Sequence, residues 1–291
     1  MMPRVTVVIP SYNPEPGLLR ELYVSLLGQA LDDFEVVIVD DGSASKNVYE
    51  EIRDPRFRIL FQGCNRGPAA CRNRGAGAAE SEFLFFTDTD CTLAPDALEC
   101  VVNALHDGVI LMGNTITRVN THFGKAVALL GFPGGGILGF DKVWRVDAGG
   151  YTNSFSSCAL GFRKTVFEAL GGFDETFPVA GGEDTVLAWQ AVRAGCRIRY
   201  APEVRVYHIE KTSLAGFVRW QITRGRGNYH IKRRVGKVGG YLRLRFWTLK
   251  NSLKAAGCTY ALPVLMLWTL SVYCQLKGMS LESRAARRRP S

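Results

Sequence analysis

Three short apolar runs in the first third of the chain each stop at a cluster of oxygen-bearing side chains. Val5–Ile9 closes on Pro10-Ser11-Tyr12-Asn13, Phe34–Val39 on Asp40-Asp41-Gly42-Ser43, and Phe83–Thr87 on Asp88-Thr89-Asp90. Apolar runs of this length without polar alternation suit strands covered on both faces. Between them, Leu18–Leu31 carries Leu18, Leu22, Leu26 and Ala30 at helical spacing, a polar helix is expected around Val48–Arg53, and Phe57–Phe61 reads as another strand. The Cys64–Gly77 segment continues as a helix. Strands alternating with helices predict an α/β fold with a mostly parallel sheet and helices on both faces.

In such sheets ligands bind beyond the carboxyl ends of the strands, which is where the three clusters fall. Asp, Asn, Ser and Gly are also the ordinary turn residues, and one Asp-Gly-Ser alone reads as a turn. Three such ends on one sheet edge point further, because gathered carboxylates repel unless a cation or a hydrogen-bonding ligand compensates them. Asp88-x-Asp90 is a pair that a hard cation with oxygen ligands accepts, the remaining positions being filled by water and substrate phosphates. No G-x-x-x-x-G-K-[ST] loop is present, and the lysine-free glycines between Gly131 and Gly139 read as a flexible loop.

Composition bounds the rest. With 291 residues, 47% of them hydrophobic, the chain suits one large or two small globular domains and excludes a disordered, collagen-like or multi-spanning membrane protein. Residues 1–210 hold 19 Lys/Arg against 26 Asp/Glu, whereas residues 211–291 hold 17 against 1. That contrast predicts an acidic domain over 1–210 and a basic, partly apolar helical region over 211–291. Eight cysteines show no C-x-x-C pair and no zinc-type spacing with histidine, so they read as small buried thiols in a reducing compartment. The first apolar run ends at Pro10, short of a signal-peptide core, so the 1–210 domain is expected to face the cytoplasm.

The order V-T-V-V-I-P-S-Y-N, V-D-D-G-S, N-R-G-P-A-A-C-R-N-R-G, T-D-T-D, G-G-F-D-E and G-G-E-D, spread over residues 4–210, resembles the family 2 glycosyltransferases with the GT-A fold. The resemblance implies a Rossmann-like mixed sheet and transfer of a sugar from a nucleotide-diphosphate donor to an acceptor hydroxyl with inversion. It further implies that Pro10, Ser11, Tyr12, Asn13 and Asp41 hold the nucleobase and ribose, that Arg72 lies against the nucleotide, and that Asp88 approaches the ribose and first phosphate. Asp90 of the D-x-D would bind a divalent cation, Mg²⁺ or Mn²⁺. For Arg72 an exposed helix position remains the alternative.

In the second half, Phe155–Arg163 reads as a strand, Val166–Leu170 as a short helix and Gly171–Glu175 as a turn. Gly181-Gly182-Glu183-Asp184 opens an amphipathic helix, Thr185–Ala194, where an acid also serves as an N-cap. An inverting displacement needs one carboxylate to take the acceptor's proton. By resemblance Asp184 is that base, with Glu183 orienting acceptor or base. The strand Val204–Tyr207 delivers His208, which the resemblance makes the second metal ligand beside Asp90. His106, His122 and His230 fall in no such context. The Gly124–Phe140 loop and Trp144 are candidates for the acceptor side by position alone.

Basic residues mixed with aromatics over Thr212–Lys254 suit an interfacial helix on anionic lipid or a nucleic-acid surface. The 20 uncharged residues Gly257–Leu276 favour lipid and would just cross a hydrocarbon core about 30 Å thick. Pro263 and the later positive charges at 277, 284, 287, 288 and 289 leave an in-plane helix and a buried core helix open beside a span. The leading expectation is thus a metal-dependent inverting glycosyltransferase at the cytoplasmic face of a membrane, acting on a lipid-linked or cell-envelope glycan. A nucleotidyltransferase-like enzyme and a non-catalytic membrane or nucleic-acid adaptor are the alternatives, nucleic acid being the less favoured partner.

Overall fold

The computed structural model describes residues 2–105, 110–178, 180–236 and 241–288, so His106 and Arg289 lie outside the described residues. The chain divides into two compact units. The first comprises Met1–Thr115, Val146–Glu175 and Leu187–His208; the second comprises Ile116–Arg145, Thr176–Val186 and Ile209–Ser291.

A nine-stranded sheet organises the first unit. β1 (Val5–Ser11), β2 (Phe34–Asp40), β3 (Phe57–Phe61) and β4 (Phe83–Phe86) run parallel in the order β3-β2-β1-β4. All seven residues of β2 are buried, as the absence of alternation requires of a strand covered on both faces. Helix α1 (Pro16–Leu27) buries Leu19, Leu22 and Leu26, and its first turn is capped by the Glu15 carboxylate, which accepts from the Leu18 N–H at 2.8 Å. It stops at Gly28 rather than Leu31. Helix α2 (Pro68–Ala78) presents Ala69, Ala70, Gly75 and Ala76 to the sheet. A Cβ at Gly75 would overlap Val8 Cγ1, so the missing side chain is what lets α2 lie close on β1. The expected helix at Val48–Arg53 is a single 3₁₀ turn, Asn47–Tyr49; Pro55 disfavours helical geometry just beyond it.

Next come β5 (Cys91–Leu93), α3 (Ala97–Ala104), β6 (Ile110–Arg118), α4 (His122–Ala128), α5 (Phe140–Val143), β7 (Tyr151–Thr152), β8 (Leu160–Arg163), α6 (Lys164–Ala169), α7 (Glu183–Arg193) and β9 (Ile198–Ile209). From β4 the sheet continues β8-β6-β9-β5, with antiparallel pairs β4/β8, β6/β8 and β5/β9, and β7 pairing with β9. The sheet is therefore mixed. β8 is shorter than the run expected from Phe155, because Ser157–Ala159 forms a 3₁₀ turn. β9 is three times the length of the expected Val204–Tyr207; its polar residues alternate with buried ones and hide the strand from an apolar-run reading.

In the second unit, Ala126, Val127, Leu129, Leu130, Phe217, Val264 and Leu267 form the core. The segment expected as a flexible loop between Gly131 and Gly139 is a packed turn instead. Phe132, Ile137 and Leu138 lie on that core, and a Cβ at Gly136 (φ +60°) would overlap the Ala128 carbonyl. Helix α8 (Leu214–Val235) starts at the Ser213 cap. Helix α9 (Tyr241–Arg288) breaks at Gly257, where φ is +56°. The two helices pack closely: a Cβ on Gly225 would overlap the Gln275 carbonyl, and one on Gly278 the Ile222 carbonyl.

After its break α9 buries Val264, Leu267 and Cys274 but leaves Leu262, Met266, Tyr273 and Leu276 at least 60% exposed. It is one helix long and apolar enough to cross a membrane by length and composition. All eight cysteines are free, and the expectation that they are buried needs correcting: Cys64 and Cys258 are exposed, while Cys100 and Cys196 are intermediate.

Candidate active site

Parallel pairing fixes where the oxygen clusters go. Ser11 is the register partner of Asp40, and Val8 of Phe86, so the ends of β1, β2 and β4 reach one edge of the sheet. Pro10 is still within β1, opposite Val39, whereas Tyr12 lies beyond it and is 54% exposed. Asn13 alone among the described non-glycine residues has a positive φ, +43°. Its strain is held by a reciprocal clasp: the Asn13 N–H donates to Ser43 Oγ at 2.8 Å, and Asn13 Oδ1 accepts from the Ala44 N–H at 2.9 Å.

The two adjacent acids after β2 differ in surroundings. Asp40, fully buried, accepts from the Tyr49 hydroxyl at 2.6 Å and from the Ser43 and Gly42 N–H groups at 3.0 and 3.2 Å. Burial pushes its carboxyl up, and hydrogen bonds from Ser43, Tyr49 and Gly42 more than offset this, leaving it below the usual carboxylate range. Burial and the neighbouring carboxylate push the Tyr49 hydroxyl above its ordinary value. Asp41 accepts from the Arg66 and Gly67 N–H groups at 2.7 and 2.8 Å and from Gln62 Nε2 at 2.8 Å. Its carboxylate thereby shapes the turn into α2.

From α2, Arg72 reaches the end of β4. Its guanidinium donates to Asp88 Oδ1 at 2.7 Å and lies 5.5 Å from the Phe173 ring centre. At 4% side-chain exposure, it is a buried ion-pair partner and not the exposed helix residue left open by the sequence. Burial raises the Asp88 carboxyl, and the Arg72 charge and hydrogen bond overcome that to hold it below the ordinary value. Asp88 Oδ2 also accepts from Cys158 Sγ at 3.2 Å. Two residues on, Asp90 Oδ1 lies 3.4 Å from Nε2 of His208, which comes from β9. The first unit thus brings Asp88, Asp90 and His208 to one place.

Cis ligands of an octahedral hard cation are about 3 Å apart, given metal–oxygen distances of about 2.1 Å. The Asp90–His208 spacing and the mixed carboxylate–imidazole donor set therefore fit a Mg²⁺ or Mn²⁺ ion. The sequence reading missed two residues there: Cys91 and Cys158, which sit with His208. Neither lies in a recognisable motif: the pairing of β5 with β9 sets Cys91 against His208, and the 3₁₀ turn ahead of β8 brings Cys158 to them. The contact with Cys158, then burial and the neighbouring acids, push the Cys91 thiol up; the contact with Cys91 lowers the Cys158 thiol, and burial with the nearby Asp88 outweighs it to leave that thiol raised as well.

Glu183 and Asp184 belong to the second unit. The Val186 N–H donates to the Gly182 carbonyl, which places both acids in the first turn of α7 and leaves Asp184 off the cap position. Glu183 is buried and accepts from the Gly181 N–H at 2.9 Å; Asp184 is half-buried and accepts from the Thr185 N–H at 2.7 Å. Gly181 and Gly182 have φ of +104° and +118°, and a Cβ on Gly182 would press on Phe177 and Ile231, so glycine is required where the acids are presented. Trp144 stacks on Phe140 with centroids 6.3 Å apart.

Residues 6–170 match the family model described as glycosyl transferase family 2. A pre-mycofactocin glycosyltransferase of Mycobacterium tuberculosis (strain ATCC 25618 / H37Rv) is 31% identical over 227 residues, 74% of this chain and 44% of that protein. A succinoglycan biosynthesis protein of Rhizobium meliloti (strain 1021) is 28% identical over 238 residues, covering 75% of this chain and 64% of the relative. The chain therefore spans less than two thirds of either relative's length. Among solved structures, a mannosyltransferase from Pyrobaculum calidifontis in complex with GDP-Man and Mn²⁺ aligns with a TM-score of 0.63 at 21% identity, covering 97% of this chain and 88% of that one. That likeness is one of fold.

Proposed function

Because the chain belongs to glycosyl transferase family 2 and is a glycosyltransferase, we propose that it moves a sugar, with inversion, from a nucleotide-diphosphate donor to a hydroxyl of a lipid-linked or cell-envelope glycan. The observation that carries the reading is the meeting of Asp90 and His208 at 3.4 Å beside the Arg72–Asp88 pair, at the carboxyl ends of the parallel strands. Pro10, Ser11, Tyr12, Asn13 and Asp41 receive base and ribose, and Arg72 and Asp88 border the ribose and first phosphate. Asp90 and His208 hold Mg²⁺ or Mn²⁺, which when bound neutralises negative charge on the diphosphate.

The chain's own residues do the rest. Asp184 takes the proton of the acceptor hydroxyl, and Glu183 orients acceptor or base. The basic α8 and the exposed apolar side of α9 hold the enzyme at the cytoplasmic face of an anionic membrane, where such acceptors are anchored. Residues 1–210 are the catalytic domain and 211–291 the membrane-associating region. Relatives named for O-antigen and succinoglycan biosynthesis support the envelope-glycan acceptor.

The test is donor binding and hydrolysis by purified protein with a panel of nucleotide sugars under Mn²⁺, Mg²⁺ or EDTA, beside Asp90→Ala. Metal-dependent turnover of one donor that disappears in the variant is the expected result. Failure to bind any nucleotide sugar with any metal would overturn the reading.

A further inference from the structure

Three soft or borderline donors converge next to the two carboxylates of the D-x-D. Cys91, Cys158 and His208 offer ligand atoms that all lie within 4.8 Å of one another. They are 1%, 8% and 5% exposed. The backbone fixes the arrangement: Cys91 is the antiparallel register partner of His208, so both side chains leave the same face of the sheet. Cys158 arrives from the 3₁₀ turn ahead of β8 and is contacted by Ser156 Oγ at 3.5 Å. Asp88 Oδ2 lies 3.2 Å from Cys158 Sγ, and Asp90 Oδ1 lies 3.9 Å from Cys91 Sγ and 3.4 Å from His208 Nε2.

We propose that Cys91, Cys158, His208 and one carboxylate oxygen of Asp90 form a four-ligand site for a thiophilic divalent cation, Zn²⁺ or Co²⁺, whose occupancy excludes the hard cation from Asp90 and His208. Tetrahedral zinc with about 2.3 Å to sulfur and about 2.0 Å to nitrogen or oxygen sets its ligands roughly 3.3–3.8 Å apart. The carboxylate–imidazole distance already falls there, and the separations among Cys91, Cys158 and His208, none above 4.8 Å, need to close by at most about 1 Å, within the reach of a side-chain rotation. Mg²⁺ and Mn²⁺ prefer oxygen and nitrogen, whereas thiolate sulfur selects zinc, so the same pocket divides its donors between two classes of ion. Each thiol gives its proton to solvent as its sulfur–metal bond forms, and no electrons are transferred. Two sulfurs, one nitrogen and one oxygen close the coordination sphere, which leaves no position for a substrate phosphate. Exclusion rests on the proposed placement of the hard cation; binding of the soft one does not.

The test starts with the reduced full-length chain titrated with Co²⁺ and followed by absorption. The expected result is one equivalent of tetrahedral Co²⁺ with a sulfur-to-metal charge-transfer band. That band should fall in Cys91→Ser and in Cys158→Ser, vanish in the double variant, and persist in a Cys64→Ser, Cys258→Ser control. No band in the parent, or a band that survives in the double variant, overturns the site. Should the double variant fold poorly, X-ray absorption on the zinc-loaded parent decides: two sulfur and two nitrogen or oxygen scatterers are expected, and any other sulfur count overturns it. Exclusion is read by Mn²⁺ electron paramagnetic resonance, where one equivalent of Zn²⁺ should release bound Mn²⁺. In the double variant that displacement should need at least about 100-fold more Zn²⁺, beyond the roughly 10–100-fold lost when only an outer partner of a ligand is removed. Mn²⁺ that stays bound beside Zn²⁺, or never binds, overturns exclusion while the cobalt band reports on the site separately.

Discussion

Arg72 and Asp88 form an ion pair 2.7 Å long in which the guanidinium is 4% exposed and the carboxylate 24%. Removing one partner of a buried pair leaves the other uncompensated, at about 3–5 kcal/mol where burial is complete. Asp88 keeps some contact with water, so Arg72→Met should cost about 2–3 kcal/mol in urea unfolding. Asp88→Asn added to it should restore part of the loss. Strictly additive costs in the double variant would show that the two side chains are not coupled.

Asp40 makes stability depend on acid. Its folded pKa is depressed by hydrogen bonds from Ser43, Tyr49 and Gly42 that outweigh burial, so the unfolded chain takes up the proton first as pH falls. Its contribution is complete at neutral pH and drains away below about pH 4. Asp40→Asn should lower stability by about 2 kcal/mol at pH 7 and flatten the decline of stability between roughly pH 5 and 2. Unfolding free energies measured across that range check it; an unchanged slope would assign the acid sensitivity elsewhere.

β1, β2 and β4 could be read from the sequence because strands covered on both faces leave unbroken apolar runs, and their ends marked Asn13, Asp41, Asp88 and Asp90 as a group. What escaped depends on distant pairing. Cys91 and His208 stand 117 positions apart and meet only because β5 runs antiparallel to β9. In the sequence only Val204–Tyr207 of β9 stands out as a strand, because the exposed Pro202 and Glu203 break the apolar pattern just ahead of it. The glycines near Gly136 resembled a loose loop because their role, letting a turn approach the Ala128 carbonyl, leaves no local pattern.

Gly278 tests the packing of α8 on α9, and Gly77, in α2, is its control of opposite sign. Gly278→Ala would drive a methyl into the Ile222 carbonyl, and backbone cannot move aside as a side-chain end can. We expect a loss of about 2–3 kcal/mol, at the upper end for overpacking. Gly77, in α2, has nothing within 4 Å of its would-be Cβ, so Gly77→Ala should gain about 0.5–1 kcal/mol from helix propensity alone. Thermal unfolding of both variants settles the matter, and equal effects would contradict the close helix approach.

Asp184→Asn keeps the shape of the side chain, and its remaining carbonyl oxygen can still accept from the Thr185 N–H. Structure and donor binding should survive while transfer falls by about 10²–10⁴-fold, the range for loss of a positioned proton acceptor. The measurement is kcat for sugar transfer together with donor Kd and the unfolding midpoint. A large change in donor Kd with kcat intact would move Asp184 from base to binding residue.

Leu262, Met266 and Tyr273 follow one another at four- and seven-residue spacing along the exposed side of α9, 66%, 64% and 63% exposed. Side chains at such spacing share a helix face, so they enter a bilayer together or not at all. Full burial of each is worth about 1.5–3 kcal/mol, and partial insertion of the three, opposed by ordering, should still amount to about 3 kcal/mol. The triple change to Ser should therefore weaken binding to anionic vesicles by about 100-fold, since each 1.4 kcal/mol is tenfold. Salt separates this from the basic residues of α8: charge attraction is screened within about 3 Å at 1 M salt, whereas apolar insertion persists. Vesicle flotation at low and high salt should leave the parent chain bound in both and the triple variant bound, weakly, only in low salt. If the parent itself is released by high salt and the triple variant behaves identically, charge alone holds the chain to lipid and the exposed side of α9 serves another contact.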